Sequence, residues 1–577
     1  MNLILAVLSF FSAVMLPGAV IYKLIFKKFD FALFITISFI FSLCFNLYLI
    51  YILSLCGIYN QNIVVGIFVI EIILFLFLFR FEILRPLDAV KLSNDYVSQF
   101  LFTFGVLLTL YFLNKVFKAD IFYAWDAVVS WDRWASEWAS GKFVLNEGGY
   151  PQVYPMLLSL GYVASQKVSS FQGIGVAIYH YFIFAGIVSS IFLFNSNKYR
   201  IFGIISTILI YVVFFRWSNE FYVGYVDLPV AMIILISALS LLKAVLLDCN
   251  ECNETCKITS PKTSVLFYLL FSSLCAGLST EVKQAGLFWC IAFVFSIFYF
   301  RFYKKISYKI LLTIICVMLF FIFPWIAIAI YKKIFLNIDA TNADYVMNGI
   351  FLGKGYLERF SIALKRYEAI SILFFISIFA IKDRIFRFYS ICGIIYFVFW
   401  GTHLSYDLRN LQGGLPLMII AFSGTIICYF DIVTKAFLLV YKRIPIIFIC
   451  IVLFGCIFAY FSQEKILQSE YKRKMTLGGK EVNELVLNTF KNNGAKVLLT
   501  SNQLIAFVPA MDRQYYKLYH FGPQIKDGEF EKYAIALKDE IGSFYILLPK
   551  DEFKRYERFF EKSNIIGEVG YYTLVEY

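Results

Sequence analysis

The chain has 577 residues, of which 60% are hydrophobic, 20% aromatic and only 16% charged, a composition that excludes an ordinary soluble protein. Its formal net charge of +13 would suit a nucleic-acid partner. The Lys and Arg residues gather in short loops beside apolar runs, as charges that set membrane topology do, and nucleic acid is set aside as a partner.

Runs of about 20 apolar residues read as membrane-spanning helices. In chain order they fall near 3–22, 31–55, 61–80, 98–116, 172–194, 200–216, 226–246, 264–279, 284–301, 308–331, 367–382, 387–401, 412–430 and 446–461. The expected fold class is therefore an all-α polytopic membrane protein of about 14 spans, with juxtamembrane helices and a small C-terminal α/β domain. The first run lacks a basic flank and a cleavage site, so it reads as a span rather than a signal peptide. Most of the twelve cysteines sit singly in apolar runs. Cys249, Cys252 and Cys256 cluster without a nearby histidine and read as a reduced loop rather than a metal site. The three histidines, His180, His403 and His520, are too few for chemistry built on several imidazoles.

The polar interruption Asp120–Pro155 (DIFYAWDAVVSWDRWASEWASGKFVLNEGGYPQVYP) holds four of the eight tryptophans. Read as a helix over about 127–140, it places Trp131, Trp134 and Trp138 on one stripe, with Asp126, Arg133 and Glu137 roughly opposite. Indoles favour the headgroup level, so the expectation is a helix lying on the membrane with its carboxylates toward water, stopped at Gly141. The segment Tyr154–Ala164 is short and marked by proline, and reads as a second surface or re-entrant helix.

If that segment does not cross, the basic loops (Lys23/Lys27/Lys28, Arg80/Arg85/Lys91, Lys198/Arg200, Arg301/Lys304/Lys305/Lys309, Lys382/Arg384/Arg387 and Lys435/Lys442/Arg443) all share one face, which is then cytoplasmic. The opposite face receives Asp120–Pro155, Arg216–Asp227, Thr280–Lys283, Lys332–Arg366, His403–Gly414 and the C-terminus. The polar and acidic loops thus converge on the outer side.

Asp126 stands close to the bilayer surface, where a general base would meet a lipid-borne substrate, and capping its helix is the plainer role. Asp132 and Glu137 are weaker acidic candidates. Asp227, in EFYVGYVDLP, begins a span and either caps it or supplies a second acid for an acceptor or cation. Glu281 and Lys283, in LSTEVKQAGLFW, put charge near the hydrocarbon edge, which is costly unless paired or used. Lys283 is a candidate phosphate contact, with a snorkelling lysine as the alternative. Arg409, in SYDLRNLQGGLP, offers bidentate phosphate recognition, with a local pairing to Asp407 as the competing explanation. The long loop Lys332–Arg366 is placed to cover a donor.

After about Phe461 the composition becomes that of a soluble module. Helices are expected near 480–493, 530–541 and 551–562, and strands at 496–501, 544–549 and 571–576. The domain reading is 1–97 for N-terminal spans, 98–462 for the catalytic module with its outer loop 117–170, and 463–577 for an outer-face α/β domain.

Together these segments resemble the C superfamily of integral-membrane glycosyltransferases, which use polyprenyl-phosphate-linked sugars. The likeness is to bacterial relatives of protein mannosyltransferases and lipid A aminoarabinose transferases. WDAVVSWDRWASEWASGKF is similar to the family's outer helix, with Asp126 on the first acidic position. YPQVYPMLLSLGY is similar in placement to its Pro-rich helix start but lacks the His. GYVDLPVA, STEVKQAGLF and the arginine at 409 have counterparts in the same order, and the likeness covers roughly residues 98–430. Position 127 is alanine, so no adjacent acidic pair is present to hold a metal. About three extra spans precede the motif.

The resemblance implies an inverting sugar transfer with Asp126 as catalytic base. Asp132, Glu137 and Asp227 are then secondary or acceptor-side acids, and Lys283 and Arg409 bind the donor phosphate. The implied partners are a polyprenyl-phosphate-sugar donor, a glycan, lipid or protein acceptor, and membrane lipid. No cofactor is specified, and a divalent cation remains an option. The implied location is a bacterial plasma (inner) membrane, crossed many times, with the active site outside. An O-antigen polymerase or ligase, and a transporter or flippase of lipid-linked saccharide, are the alternatives. Transport would call for charges within spans, of which Glu71 is the clearest instance.

Overall fold

A computed structural model describes residues 2–26, 29–80, 126–139, 141, 150–165, 171–194, 197–217, 225–249, 261–335, 355–404, 407–429, 485–486, 488–490, 496–500, 516–520, 529–570 and 572–577. The N-terminal helices are α1 (Asn2–Val14), α2 (Leu16–Ile25), α3 (Phe31–Leu55) and α4 (Gln61–Leu78). Asp30 caps α3 by accepting from the Leu33 N–H, and Asn60 does the same for α4 at Ile63.

The juxtamembrane run opens as a π-helix over Ala127–Asp132 and continues as α5 (Arg133–Ala139). It ends at Gly141, whose φ of +76° is a conformation glycine adopts without a Cβ penalty. Next come α6 (Val153–Ser165), α7 (Phe171–Phe192) and α8 (Asn197–Ile210), the last prolonged as a π-helix to Trp217. They are followed by α9 (Asp227–Asp248), α10 (Pro261–Val282), α11 (Gly286–Tyr299) and α12 (Tyr308–Phe335). The last of the bundle helices are α13 (Tyr356–Arg366), α14 (Glu368–Ile378), α15 (Phe386–Phe399) and α16 (Leu415–Tyr429).

Helix α9 is the axis of the bundle. Its side chains are buried from Asp227 through Leu247, and α7, α10 and α16 pack around it. By contrast α4 and α12 are apolar but turn most of their side chains outward, as helices facing lipid do. Among the described residues six helices are long and apolar enough to cross a membrane, seven if α1 and α2 form one bent span. The expected spans at 284–301, 387–401 and 412–430 are helices of 14 or 15 residues. Those cover about 21–23 Å by helical rise, less than the ~30 Å hydrocarbon core. The expected spans at 98–116 and 446–461 lie outside the described residues.

Two surface readings are corrected. Trp131, Trp134 and Trp138 are buried in protein rather than exposed to lipid headgroups, and α6 is buried along its length, which removes the surface alternative for it and leaves the re-entrant one. The physical reason is a second layer of protein over the tryptophan stripe. Trp138 donates to Gln152 (3.1 Å) and meets Tyr51 of α3 edge-on, while Trp131 and Trp134 pack on Tyr150.

The C-terminal segment holds a five-stranded sheet of order β2-β1-β3-β5-β4. Its strands are β1 (Lys496–Thr500), β2 (Tyr516–His520), β3 (Tyr545–Pro549), β4 (Asn564–Val569) and β5 (Tyr572–Glu576). β1 pairs in parallel with β2 and β3, and β5 runs antiparallel to β3 and β4. Helices α17 (Glu529–Ile541) and α18 (Lys550–Arg555) flank it, with a core of its own around Leu499, Phe530, Leu537, Ile546 and Val575. Strands β2 and β4 are additional to the sequence reading, as is the antiparallel half of the sheet.

Candidate functional site

Asp126 opens the juxtamembrane helix, and its Oδ2 accepts from Arg409 Nη1 at 2.8 Å across 283 residues of sequence. Arg409 stands in a short 3₁₀ turn, Leu408–Leu411, capped by Asp407. Asp407 Oδ1 accepts from the Arg409 backbone N–H (3.0 Å), and Oδ2 accepts from Nε (2.7 Å) and Nη2 (2.5 Å). The pairing with Asp407 and the reach across the molecule thus occur together. The guanidinium also lies over the Tyr225 ring, 3.9 Å from its centre. Its two outer edges are therefore assigned to two carboxylates and its face to an aromatic ring. The turn itself is fastened from above, since Tyr396 donates to the Asn410 carbonyl (3.0 Å) and Trp400 Nε1 to that of Asp407 (3.1 Å).

Lys283 follows the last residue of α10 and forms an ion pair with Asp227 Oδ1 at the first position of α9. The α10–α11 turn that presents it is tight: a Cβ on Gly286 would stand 2.4 Å from the Ser279 backbone, so only glycine fits. Asp227 therefore faces a cation. The side chains of Asp227 and Lys283 are 4% and 17% exposed, whereas those of Asp126 and Arg409 are 39% and 26% exposed. The first pair is structural in depth; the second opens to solvent.

The two pairs feel one another. Burial works to strip the Lys283 proton, but Asp227 and, less strongly, Tyr150 override it and raise the pKa, with Arg409 opposing. Burial likewise works to raise the Asp407 pKa, and the bonds and charge of Arg409 more than offset this, with Lys283 adding to the lowering. The Arg409 pKa is raised against its burial by Asp407, Asp227 and Asp126. Three carboxylates and two cations thus form one charged group, with the three carboxylates drawn from different connections.

The remaining acids lie elsewhere. Asp132 is buried and its Oδ1 accepts from the Tyr162 hydroxyl (2.5 Å) on α6. Glu137 is partly buried eleven residues beyond Asp126 on the same helical run, roughly 15 Å by rise. Glu281 is fully buried in the last turn of α10, and its Oε1 accepts from the Trp325 N–H (2.8 Å). Pro324 interrupts α12 there and offers the Phe320 carbonyl no donor, a deficit met by the Tyr48 hydroxyl (2.5 Å). Glu281 and Tyr48 between them complete the backbone bonding around the α12 proline.

Sequence reasoning missed Tyr225, Tyr150 and Gln412. Tyr225 was visible only as an aromatic beside an acid in GYVD. Gln412 is fully buried, and both its amide atoms lack a partner among the described residues. No group of three His, Cys, Asp or Glu side chains that could hold a metal occurs among the described residues.

No protein-family model matches the sequence, and no curated protein matches it either. The fold does match solved structures. ArnT from Cupriavidus metallidurans bound to undecaprenyl phosphate superposes with a TM-score of 0.56 at 12% identity, covering 82% of this chain and 98% of that one. The apo state of the same protein gives 0.51 at 11% identity with the same coverage. This chain has an ArnT-like fold.

Proposed function

We propose that the chain is a membrane glycosyltransferase that moves a sugar from a polyprenyl-phosphate-linked donor to a glycan, glycolipid or protein acceptor at the outer face of a bacterial plasma membrane. The reading is supported by the shared fold with a protein solved on undecaprenyl phosphate, and by one observation above all. A half-exposed carboxylate, Asp126, sits on the free edge of an arginine whose other edge is fastened to Asp407.

In this reading the donor's phosphodiester displaces Asp126 from Arg409 Nη1, while Asp407 and Tyr225 keep the guanidinium in place. Donor binding then frees the base. The acceptor O–H gives its proton to Asp126, its oxygen bonds to the anomeric carbon from the face opposite the phosphate, and the anomeric C–O(phosphate) bond breaks with inversion. The leaving polyprenyl phosphate gains one negative charge, which Arg409 and Lys283 are placed to stabilise. Asp227 serves this step by keeping Lys283 charged. Asp132 and Glu137 stay outside it.

Asp126→Asn keeps the hydrogen-bonding shape and removes the base. Transfer from a synthetic short-chain polyprenyl-phosphate sugar should fall about 10²–10⁴-fold, with expression and membrane insertion unchanged. Near-normal transfer by this variant would remove Asp126 from the chemistry.

A further inference from the structure

Outside the site described above, helix α13 (YLERFSIALKR) divides by angle. Tyr356, Leu357, Phe360, Ala363 and Leu364 (i, i+1, i+4, i+7, i+8) share one face, while Glu358, Arg359, Lys365 and Arg366 occupy the rest with Ser361 and Ile362. The two ends of the apolar face meet different surroundings. Toward the C-terminus it packs on protein, where Ala363 is buried and the Phe360 ring lies edge-on to Phe397 (6.0 Å). Phe360 also lies so close to Gly401 that a Cβ there would stand 2.4 Å from the ring. The first turn instead overhangs, with Tyr356 57% and Leu357 86% exposed.

That overhang continues an apolar strip on α15. Ile391, Ile395, Val398 and Phe399 (i, i+4, i+7, i+8) are exposed there, in the outward pattern of a helix facing lipid, as are Ile372 and Phe375 on α14. Phe399 stacks on His403 (4.9 Å) in the π-turn Trp400–Leu404, and His403 packs on Tyr356 (5.0 Å). The strip thus runs from α15 through His403 and Tyr356 to Leu357. On its polar side α13 sets three cations against Glu358, with Glu368 following at the start of α14. The guanidinium groups of Arg359 and Arg366 lie over the rings of Tyr356 and Tyr367, 5.3 and 5.4 Å from their centres. Such a helix is too charged for hydrocarbon and too apolar on one face for water, and the headgroup layer satisfies both.

We propose that α13 is a binding surface for anionic phospholipid in the leaflet on the side of the Arg409 turn. Tyr356 and Leu357 enter the edge of the acyl layer, and Arg359, Lys365 and Arg366 meet the lipid phosphates. Excess positive charge selects anionic over zwitterionic lipid by about fivefold per cation close to such a surface. The lipid contact also reaches the site. Tyr367, which closes α13, packs on Trp400 (5.5 Å), and Trp400 Nε1 holds the Asp407 carbonyl. Through Trp400 the helix sets the level of the Asp407–Arg409 turn against the headgroups.

The test is Leu357→benzoylphenylalanine in the full-length chain, irradiated in nanodiscs of equimolar phosphatidylglycerol and phosphatidylcholine, with the photo-adducts identified by mass spectrometry. Adducts should form on lipid and favour phosphatidylglycerol about fivefold or more. Adding Lys365→Gln and Arg366→Gln should bring that ratio close to one. Adducts on polypeptide, the C-terminal α/β domain included, or no lipid adduct at all, overturn the proposal. So do equal adducts from the two lipids, or a ratio that the added substitutions leave unchanged. Native mass spectrometry reads the same contact without the label: the wild type should retain more phosphatidylglycerol than Lys365→Gln/Arg366→Gln. Should the labelled chain not fold, this measurement decides alone, and equal retention overturns the assignment.

Discussion

On the proposed reading, removing the carboxylate beside Lys283 should make transfer fail in mild alkali. In the wild type the Lys283 pKa lies above its ordinary value, because Asp227 outweighs burial. A group raised in this way contributes stability that is fully present below its unfolded pKa and is lost only as pH rises through the folded one. Between pH 6 and 9 the wild-type ammonium is therefore constant. Asp227→Asn leaves the ammonium 17% exposed with its hydrogen-bond acceptor but without its counter-charge. Breaking a buried pair from one side costs about 3–5 kcal/mol. At about 1.36 kcal/mol per tenfold change in a protonation equilibrium, this favours the neutral amine by roughly 10²–10⁴. Burial, now unopposed by Asp227, works in the same direction. Transfer measured from pH 6 to 9 in nanodiscs should be flat, as far as Lys283 is concerned, for the wild type and should decline toward pH 9 for Asp227→Asn. Thermal unfolding provides the companion measurement: adding Lys283→Met to Asp227→Asn should recover stability, since both charges are then gone, without recovering transfer. A variant profile parallel to the wild type up to pH 9, with unchanged stability, would refute the coupling.

Two further outcomes follow from named contacts. Tyr225→Leu removes the ring under Arg409, worth about 1–2 kcal/mol at a partly desolvated site, so the donor KM should rise roughly 5–30-fold while Tyr225→Phe stays near wild type. If leucine and phenylalanine behave alike, the stacking has no role. Glu281→Gln keeps an acceptor for the Trp325 N–H and should be tolerated, whereas Glu281→Leu strands that donor at about 1–3 kcal/mol and should lower the unfolding midpoint. Identical losses in the two variants would mean that the carboxylate's charge, not its acceptor, is what matters there.

The loops of the site were legible because each follows a span that short-range patterning identifies, and because basic loops fix which connections share a face. That argument placed Asp126, Asp227, Lys283 and Arg409 together without a single local contact between distant segments. It had no way to pair them. A distance of 283 residues separates Asp126 from the guanidinium it holds, and nothing in either segment names the other. The tryptophan stripe failed for a related reason. Helical spacing shows that one face of 127–139 is covered, and both lipid and protein cover apolar faces. Gln152 and Tyr51, which decide the matter, lie on other elements. Glu281 was read as a charge at the membrane edge because its partner is a backbone N–H beside a proline 43 residues later. Strands β2 and β4 escaped because YKLYH and NIIGEV are short, one rich in polar residues and the other broken by glycine.

The charge distribution itself argues for where the reaction runs. Asp126, Asp227 and Asp407 carry three negative charges against two positive ones on Lys283 and Arg409. Two of the three carboxylates are committed: Asp227 in depth to Lys283, Asp407 in a fork to Arg409. Among the described residues Asp126 has a single such contact, and it has the greatest exposure of the three. On the proposed reading the donor brings one more negative charge, and the transfer then moves a proton onto Asp126 while the leaving phosphate becomes doubly charged. The total does not change; negative charge shifts from the base to the phosphate. Arg409, whose free edge the donor phosphate takes over from Asp126 and whose opposite edge and face are immobilised, meets the charge that the phosphate gains without moving. A lysine at 409 would offer one point charge in place of two edges and a stackable face, and would have to give up Asp407 or Tyr225 to follow the charge. The arrangement thus favours a fixed cation past which negative charge migrates, the pre-organised electrostatics that a transfer to and from a lipid phosphate demands.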